Sequence, residues 1–185
     1  MKRYIPILFL LFFFRGTLSA QNVVFIQGEG NFFPPAIGGP SWVGGGAGIN
    51  LLLYKTLIQD DIILSLGTIT ALDASENLER KLLLKVSDNL FAMYNINPVI
   101  SLRGGITAGL GVYSGAIING FLNIGLLLGV HILPESPISF TVDIQPGYGL
   151  AFFAAFFTEK PFTPRHHGWV FPATVGVRLN LDKLK

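Results

Sequence analysis

The chain of 185 residues contains no cysteine. Disulfide bonds, thiol chemistry and a lipid-modified N-terminal cysteine are therefore excluded. Charged residues are scarce, because Asp, Glu, Lys and Arg together make up 13% of the chain, about half of their share in a typical soluble domain. The net charge is only +2 and no basic stripe is present, so the sequence gives no support for nucleic-acid binding.

Long apolar runs are also missing after residue 20, where every stretch of about 18 residues is interrupted by polar residues or glycine. Since apolar residues still make up 50% of the chain, this pattern argues against transmembrane helices. The first 20 residues have the pattern of a secretory signal, with Lys2 and Arg3 before an apolar run and small residues ending at Ala20. We predict a cleaved signal peptide, 1–20, and a single domain, 21–185; an uncleaved anchor is the alternative.

Apolar residues alternate with small or polar ones in eight segments of the chain, most clearly in 117–133. The apolar positions of this segment include Ile118, Leu122, Ile124, Leu126, Leu128, Val130 and Ile132, and those between them include Asn119, Asn123, Gly125, Gly129 and His131. A period of two predicts a β-strand. A strand that is apolar on one side and polar or glycine-rich on the other is typical of a barrel wall, with lipid outside and a polar lumen inside.

The eight segments are 22–32, 42–54, 60–71, 82–96, 98–114, 117–133, 137–153 and 168–181. They predict an all-β fold, a transmembrane antiparallel eight-stranded up-and-down β-barrel, with both termini and the short turns on the periplasmic side. Pro146 and Pro172 fall inside the last two segments, where a bulge at each or a shorter strand would accommodate them. Asp88 falls on the lipid side, which requires a position near an interface. Aromatic residues are predicted to mark the outer rim (Trp42, Phe152, Trp169) and the inner rim (Tyr94, Phe140).

Four charged residues, Glu29, Arg103, Asp143 and Arg178, are predicted to face the lumen. The interior of an eight-stranded barrel is only just wide enough for side chains to fill, so we expect these four residues to pair in one network. The network is either a structural plug or a selectivity constriction. Many inward positions are glycines, which either leave space in the lumen or relieve a crowded wall.

A second candidate site lies in the longest predicted outer loop, 154–167. Its charged and imidazole side chains could bind a ligand, a lipid headgroup or a host molecule; they are Glu159, Lys160, Arg165, His166 and His167. Adjacent histidines can bind a metal ion, but the sequence offers no second cluster of ligands. We therefore predict neither a metal site nor a cofactor.

The signal, the eight alternating segments and the closing run Val175–Leu181 together resemble the small outer-membrane β-barrels of the OmpA, OmpX and OmpW kind. The resemblance implies a location in the bacterial outer membrane, with membrane lipid and the barrel-insertion machinery as partners. The OmpW type implies passage of small hydrophobic molecules. The OmpX and OmpA types imply adhesion or a structural role with a filled lumen.

The functional prediction is a non-enzymatic, porin-like or OmpW-like barrel that gives a narrow path to small solutes, with hydrophobic molecules as one candidate class. The alternative is a surface-exposed adhesin or structural barrel with a plugged lumen, whose partners would be host surface molecules. A third possibility is a lipid-modifying enzyme that uses Ser114, His166 and Glu159 on the outer rim, although their spacing does not single them out.

Overall fold

The computed structural model describes residues 19–31, 41–53, 58–71, 81–113, 119–154 and 162–184, with the backbone alone at 19–22, 53, 71, 119, 151–154 and 162–166. Within these residues the chain forms ten β-strands. They are β1 (Ser19–Asn31), β2 (Ser41–Leu53), β3 (Ile58–Ala71), β4 (Lys81–Asn95), β5 (Ile100–Tyr113), β6 (Asn119–Ile132), β7 (Ile138–Ile144), β8 (Gly147–Ala154), β9 (Phe162–Val170) and β10 (Ala173–Asn180). A short 3-10 helix, Leu181–Leu184, follows β10. No helix in the described ranges is long and apolar enough to span a membrane.

The strands form a closed antiparallel barrel. Each of β1 to β5 pairs with the next strand in sequence. Both β7 and β8 pair with β6 and are two parts of a seventh wall strand, while β9 and β10 are two parts of an eighth. The pairing of β10 with β1 closes the wall. The predicted eight-stranded barrel is therefore confirmed.

The two ends of the barrel are distinguished by the strand ends that lie there. At one end, called here the terminal end, lie residues 19 and 184, the connections 96–99 and 133–137, the last residue of β2 and the first residue of β3. The opposite end, where β1, β3, β5 and β8 finish, is called the loop end. The sequence predicts that the terminal end faces the periplasm.

Pro146 and Pro172 interrupt the seventh and eighth wall strands without shifting their register. The pairing with β6 runs from Leu128↔Ile144 to Gly125↔Gly147 with no inserted residue, and across Pro172 it runs from Gly147↔Val170 to Ile144↔Ala173. Of the two predicted alternatives, the bulge is therefore wrong, and each wall strand is instead divided into two shorter strands at its proline. The proline carbonyls remain in the hydrogen-bond ladder, because Pro146 O accepts from Leu126 N at 2.9 Å and Pro172 O from Gln145 N at 2.8 Å. Only the missing N–H groups open the ladder locally.

The predicted alternation separates an apolar outer surface from a polar interior. Outward aliphatic side chains are well exposed, for example Ile26 at 65% and Val175 at 60%, whereas the inward Asp61 is 1% exposed. Asp88 lies on the outer face and is half-buried. Since a wall of exposed Leu, Ile and Val is stable only against hydrocarbon, the barrel spans a membrane.

One predicted rim residue, Trp42, lies inside the barrel instead. Its side chain is 1% exposed, because it shares the inward parity of the β2 glycines. It packs edge-to-face on Phe121, with ring centroids 4.9 Å apart. A buried cluster fills the lumen near the loop end and is called here the apolar cap: Trp42, Ile69, Leu83, Tyr113, Phe121 and Val170. Trp169, Tyr94 and Phe140 are exposed as predicted, and the Phe152 side chain lies outside the described residues.

The strands are staggered around the wall. Followed strand by strand through β2 to β9, the register from Phe25 arrives at Gly168 on the eighth wall strand. Phe25 itself pairs with Arg178, ten residues further along. Such a stagger accompanies the tilt of strands in a closed barrel, and it decides which inward side chains meet.

Candidate functional site in the barrel lumen

Four charged side chains meet in the terminal half of the lumen and are called here the ion network: Asp61, Arg103, Asp143 and Arg178. Asp61 is the centre, because Arg178 donates to both of its carboxylate oxygens at 2.7 Å and Arg103 Nη2 donates to Oδ2 at 2.6 Å. Arg103 Nη1 also donates to Asp143 Oδ2 at 2.8 Å. The network therefore joins four different strands across the lumen.

Neutral side chains hold the ion network in place. Asn50 Nδ2 donates to Asp61 at 2.7 Å, and Thr174 donates to Asp143 at 3.3 Å. The guanidinium groups also stack on aromatic rings, with Arg103 Cζ 4.0 Å from the Phe91 centroid and Arg178 Cζ 4.5 Å from that of Phe25. These contacts satisfy the charges on several sides, as burial of ionised groups requires.

The wall around the ion network is crowded, and glycine makes room for it. A Cβ atom on Gly129 would overlap the Asp143 carboxylate, and one on Gly48 would overlap the Phe25 ring on which Arg178 stacks. The glycine-rich inner face thus accommodates large neighbours, in line with the interpretation of a crowded wall.

Glu29 does not join the arginines, contrary to the sequence prediction. It lies near the loop end of β1 and forms an ion pair with Lys85, whose Nζ is 2.8 Å from each carboxylate oxygen. The Lys85 ammonium also lies 5.1 Å from the Trp42 ring centroid, directly beneath the apolar cap. Arg103, Asp143 and Arg178 thus meet in one network as the sequence predicts, whereas Glu29 pairs with Lys85 instead.

The structure adds two residues that the predicted set lacks, Asp61 and Lys85. Both have inward parity in the sequence, which was the available signal. Two inward side chains can pair only if they lie at the same depth along the barrel axis, and this depth depends on the stagger of the strands. The buried His131 accompanies Ser139, with 2.7 Å between Nε2 and Oγ, so it is a hydrogen-bonded lumen residue.

The second predicted site is only partly described. Glu159 and Lys160 lie outside the described residues, as does Ser114 of the enzyme alternative. Arg165, His166 and His167 belong to β9, so their predicted loop position is wrong. His167 is exposed on the outer wall and is hydrogen-bonded through Nδ1 to the Tyr148 hydroxyl. Across the described ranges, no group of three His, Asp or Glu side chains is arranged to bind a metal ion.

The Glu29–Lys85 pair offers a test of buried-charge energetics. Lys85→Met should lower the free energy of unfolding by about 3 kcal/mol, because it leaves the Glu29 carboxylate buried without its cation. The double variant Glu29→Gln/Lys85→Met should recover most of this loss. Guanidinium unfolding of the vesicle-inserted proteins measures both values, and additive losses in the double variant would contradict the pairing.

No protein-family model and no curated protein sequence matches the chain. Among solved structures, the chain is similar to the Neisserial surface protein A, NspA, with 14% identity over 90% of this chain and 100% of that one and a TM-score of 0.47. It is also similar to the N-terminal β-barrel domain of Pseudomonas aeruginosa OprF, with 15% identity over 87% and 100% and a TM-score of 0.46.

A third similar structure is a major outer membrane protein from Thermus thermophilus, with 13% identity over 89% of this chain and 99% of that one and a TM-score of 0.46. The fold itself is established by the strand pairing, the closure between β1 and β10, and the apolar outer surface. The chain is an eight-stranded antiparallel transmembrane β-barrel.

Proposed function

We propose that this outer-membrane barrel is a closed scaffold rather than a solute path, and that it acts through the chain segments at its loop end. The observation that carries the proposal is the filled lumen. The ion network occupies the terminal half, and the apolar cap occupies the loop half. This arrangement favours the alternative of a structural or adhesive barrel.

The two fillings act as barriers in series. Every charged side chain of the ion network is at most 4% exposed, so water or an ion would have to separate paired charges to pass. In the apolar cap, the side chains of Trp42 and Phe121 are 1% and 0% exposed. An ion that entered the cap would lose its hydration shell without gaining polar ligands from these rings. A solute would have to displace both layers.

The proposal predicts a silent planar bilayer for the refolded mature protein, 21–185. Trp42→Ala should also be silent, because the ion network still blocks the lumen. The double variant Trp42→Ala/Arg103→Ala removes one large side chain from each barrier and should give measurable current. Stable channel steps from the wild-type protein would contradict a closed scaffold and favour the narrow path for small solutes.

The loop end is the remaining candidate surface for binding. Since β9 begins at Phe162, a deletion that tests this surface has to stay within 155–161 to spare the wall. For an adhesive role, whole cells carrying this deletion should lose adherence to host cells while the barrel still folds. Unchanged adherence would restrict the proposal to a structural role.

A further inference from the structure

Three neighbouring side chains form a polar aromatic patch on the outer wall at the loop-end half of the barrel: Tyr148, His167 and Trp169. Tyr148 and Trp169 are cross-strand partners on β8 and β9, and they are 44% and 58% exposed. Their rings meet edge-to-face with centroids 6.1 Å apart, and the Tyr148 ring lies 5.8 Å from the imidazole of His167. The patch is therefore preformed and open to the membrane.

The hydrogen bond between the Tyr148 hydroxyl and His167 Nδ1 leaves one donor in excess. If the hydroxyl donates to Nδ1, the imidazole proton is on Nε2, which can donate elsewhere. If Nδ1–H donates to the hydroxyl oxygen, the hydroxyl proton is available instead. In both arrangements the pair keeps one N–H or O–H group that donates to no acceptor among the described residues. A ligand that binds the patch should therefore supply a hydrogen-bond acceptor.

The depth of the patch places it at the edge of the hydrocarbon. An apolar band about 25 Å tall is crossed by about ten residues of a strand tilted by roughly 40°, since each residue then rises about 2.5 Å along the barrel axis. Along the eighth wall strand, Trp169 lies ten residues from Leu179, which is near the terminal end. Trp169 thus lies at the depth where an interfacial tryptophan is expected. His167 is the next outward-facing residue of the strand toward the loop end.

We propose that Tyr148 and His167 bind the phosphate group of a membrane lipid in the leaflet at the loop end, with Trp169 against the upper part of its acyl chains. Phosphate oxygens are strong acceptors and lie at the depth of the His167–Tyr148 pair. The pair then supplies the donor and Trp169 supplies the apolar contact. This site is independent of whether the lumen conducts.

The chain contains two tryptophans, which makes the site measurable. Trp42 is enclosed in the lumen, so lipids with brominated acyl chains should quench mainly the fluorescence of Trp169. The relative association constants of brominated phosphatidic acid and brominated diacylglycerol, which has the same acyl chains but no phosphate, report the local headgroup preference when measured for the refolded protein in mixed vesicles. We expect about a threefold preference for phosphatidic acid, as one additional hydrogen bond supplies.

His167→Leu and Tyr148→Phe should each reduce this preference to nearly onefold while the barrel still folds. Tyr94→Phe is the matched control, because it removes an exposed hydroxyl at the terminal end, and it should keep the preference. Equal constants in the wild-type protein, or a preference retained in both patch variants, would mean that the patch is an aromatic anchor without a phosphate site. Loss of the preference on addition of inorganic phosphate would overturn the assignment to lipid.

Discussion

Asp61→Ala should lower the free energy of unfolding by about 3–5 kcal/mol, the range for breaking a buried ion pair by removal of one partner. The effect is expected at the top of this range, because Asp61 accepts hydrogen bonds from two buried arginines and from Asn50. Arg178 would lose its bidentate partner, and Arg103 would keep only Asp143. Guanidinium unfolding in vesicles, followed by the gel shift between folded and unfolded protein, measures the loss.

Asp143→Ala removes the other carboxylate of the ion network, and its loss of stability is to be compared with that of Asp61→Ala. Arg103 then retains Asp61, so the loss should be smaller than for Asp61→Ala. Leu126→Ala changes an outward side chain that is 54% exposed and controls for a general effect of truncation. Equal losses for Asp61→Ala and Leu126→Ala would show that Asp61 is not the centre of the ion network.

Gly129→Val should be comparably damaging, with a loss of about 4 kcal/mol or more, because the substitution combines overpacking with a broken buried ion pair. Any side chain at this position would occupy the place of the Asp143 carboxylate. Valine has a high intrinsic preference for strands, so in most strand positions a change from glycine to valine would raise the free energy of unfolding. The same unfolding assay measures the change.

Gly104→Val is the matched control on the neighbouring strand. Gly104 faces outward, and a Cβ atom there would meet nothing within 4 Å, so valine should leave the stability unchanged or raise it slightly. A similar loss at both positions would mean that glycine is needed for the backbone of the wall. A loss at Gly129 alone supports its role in making room for the Arg103–Asp143 pair.

Alternation by itself determined the fold class of this protein. Because successive side chains in a strand point to opposite faces, the apolar and polar positions specified the number of wall strands, the lipid-facing surface and the inward direction of Arg103, Asp143 and Arg178. The same parity also places Asp61, Lys85 and Trp42 inside. The sequence therefore carried a signal for all three residues, although the predicted charge network omits Asp61 and Lys85 and the predicted outer rim includes Trp42.

Only the tertiary structure decided which inward residues meet. Position along a strand does not give depth in the barrel, because the wall closes with a stagger of ten residues between Gly168 and Arg178. This stagger places Glu29 beside Lys85 and leaves Asp61 to the two arginines. The register across Pro146 was likewise settled by neighbouring strands, whose hydrogen bonds hold the chain in line despite the missing N–H group. Pairing between distant strands is a property of the closed sheet, and no local pattern in the sequence encodes it.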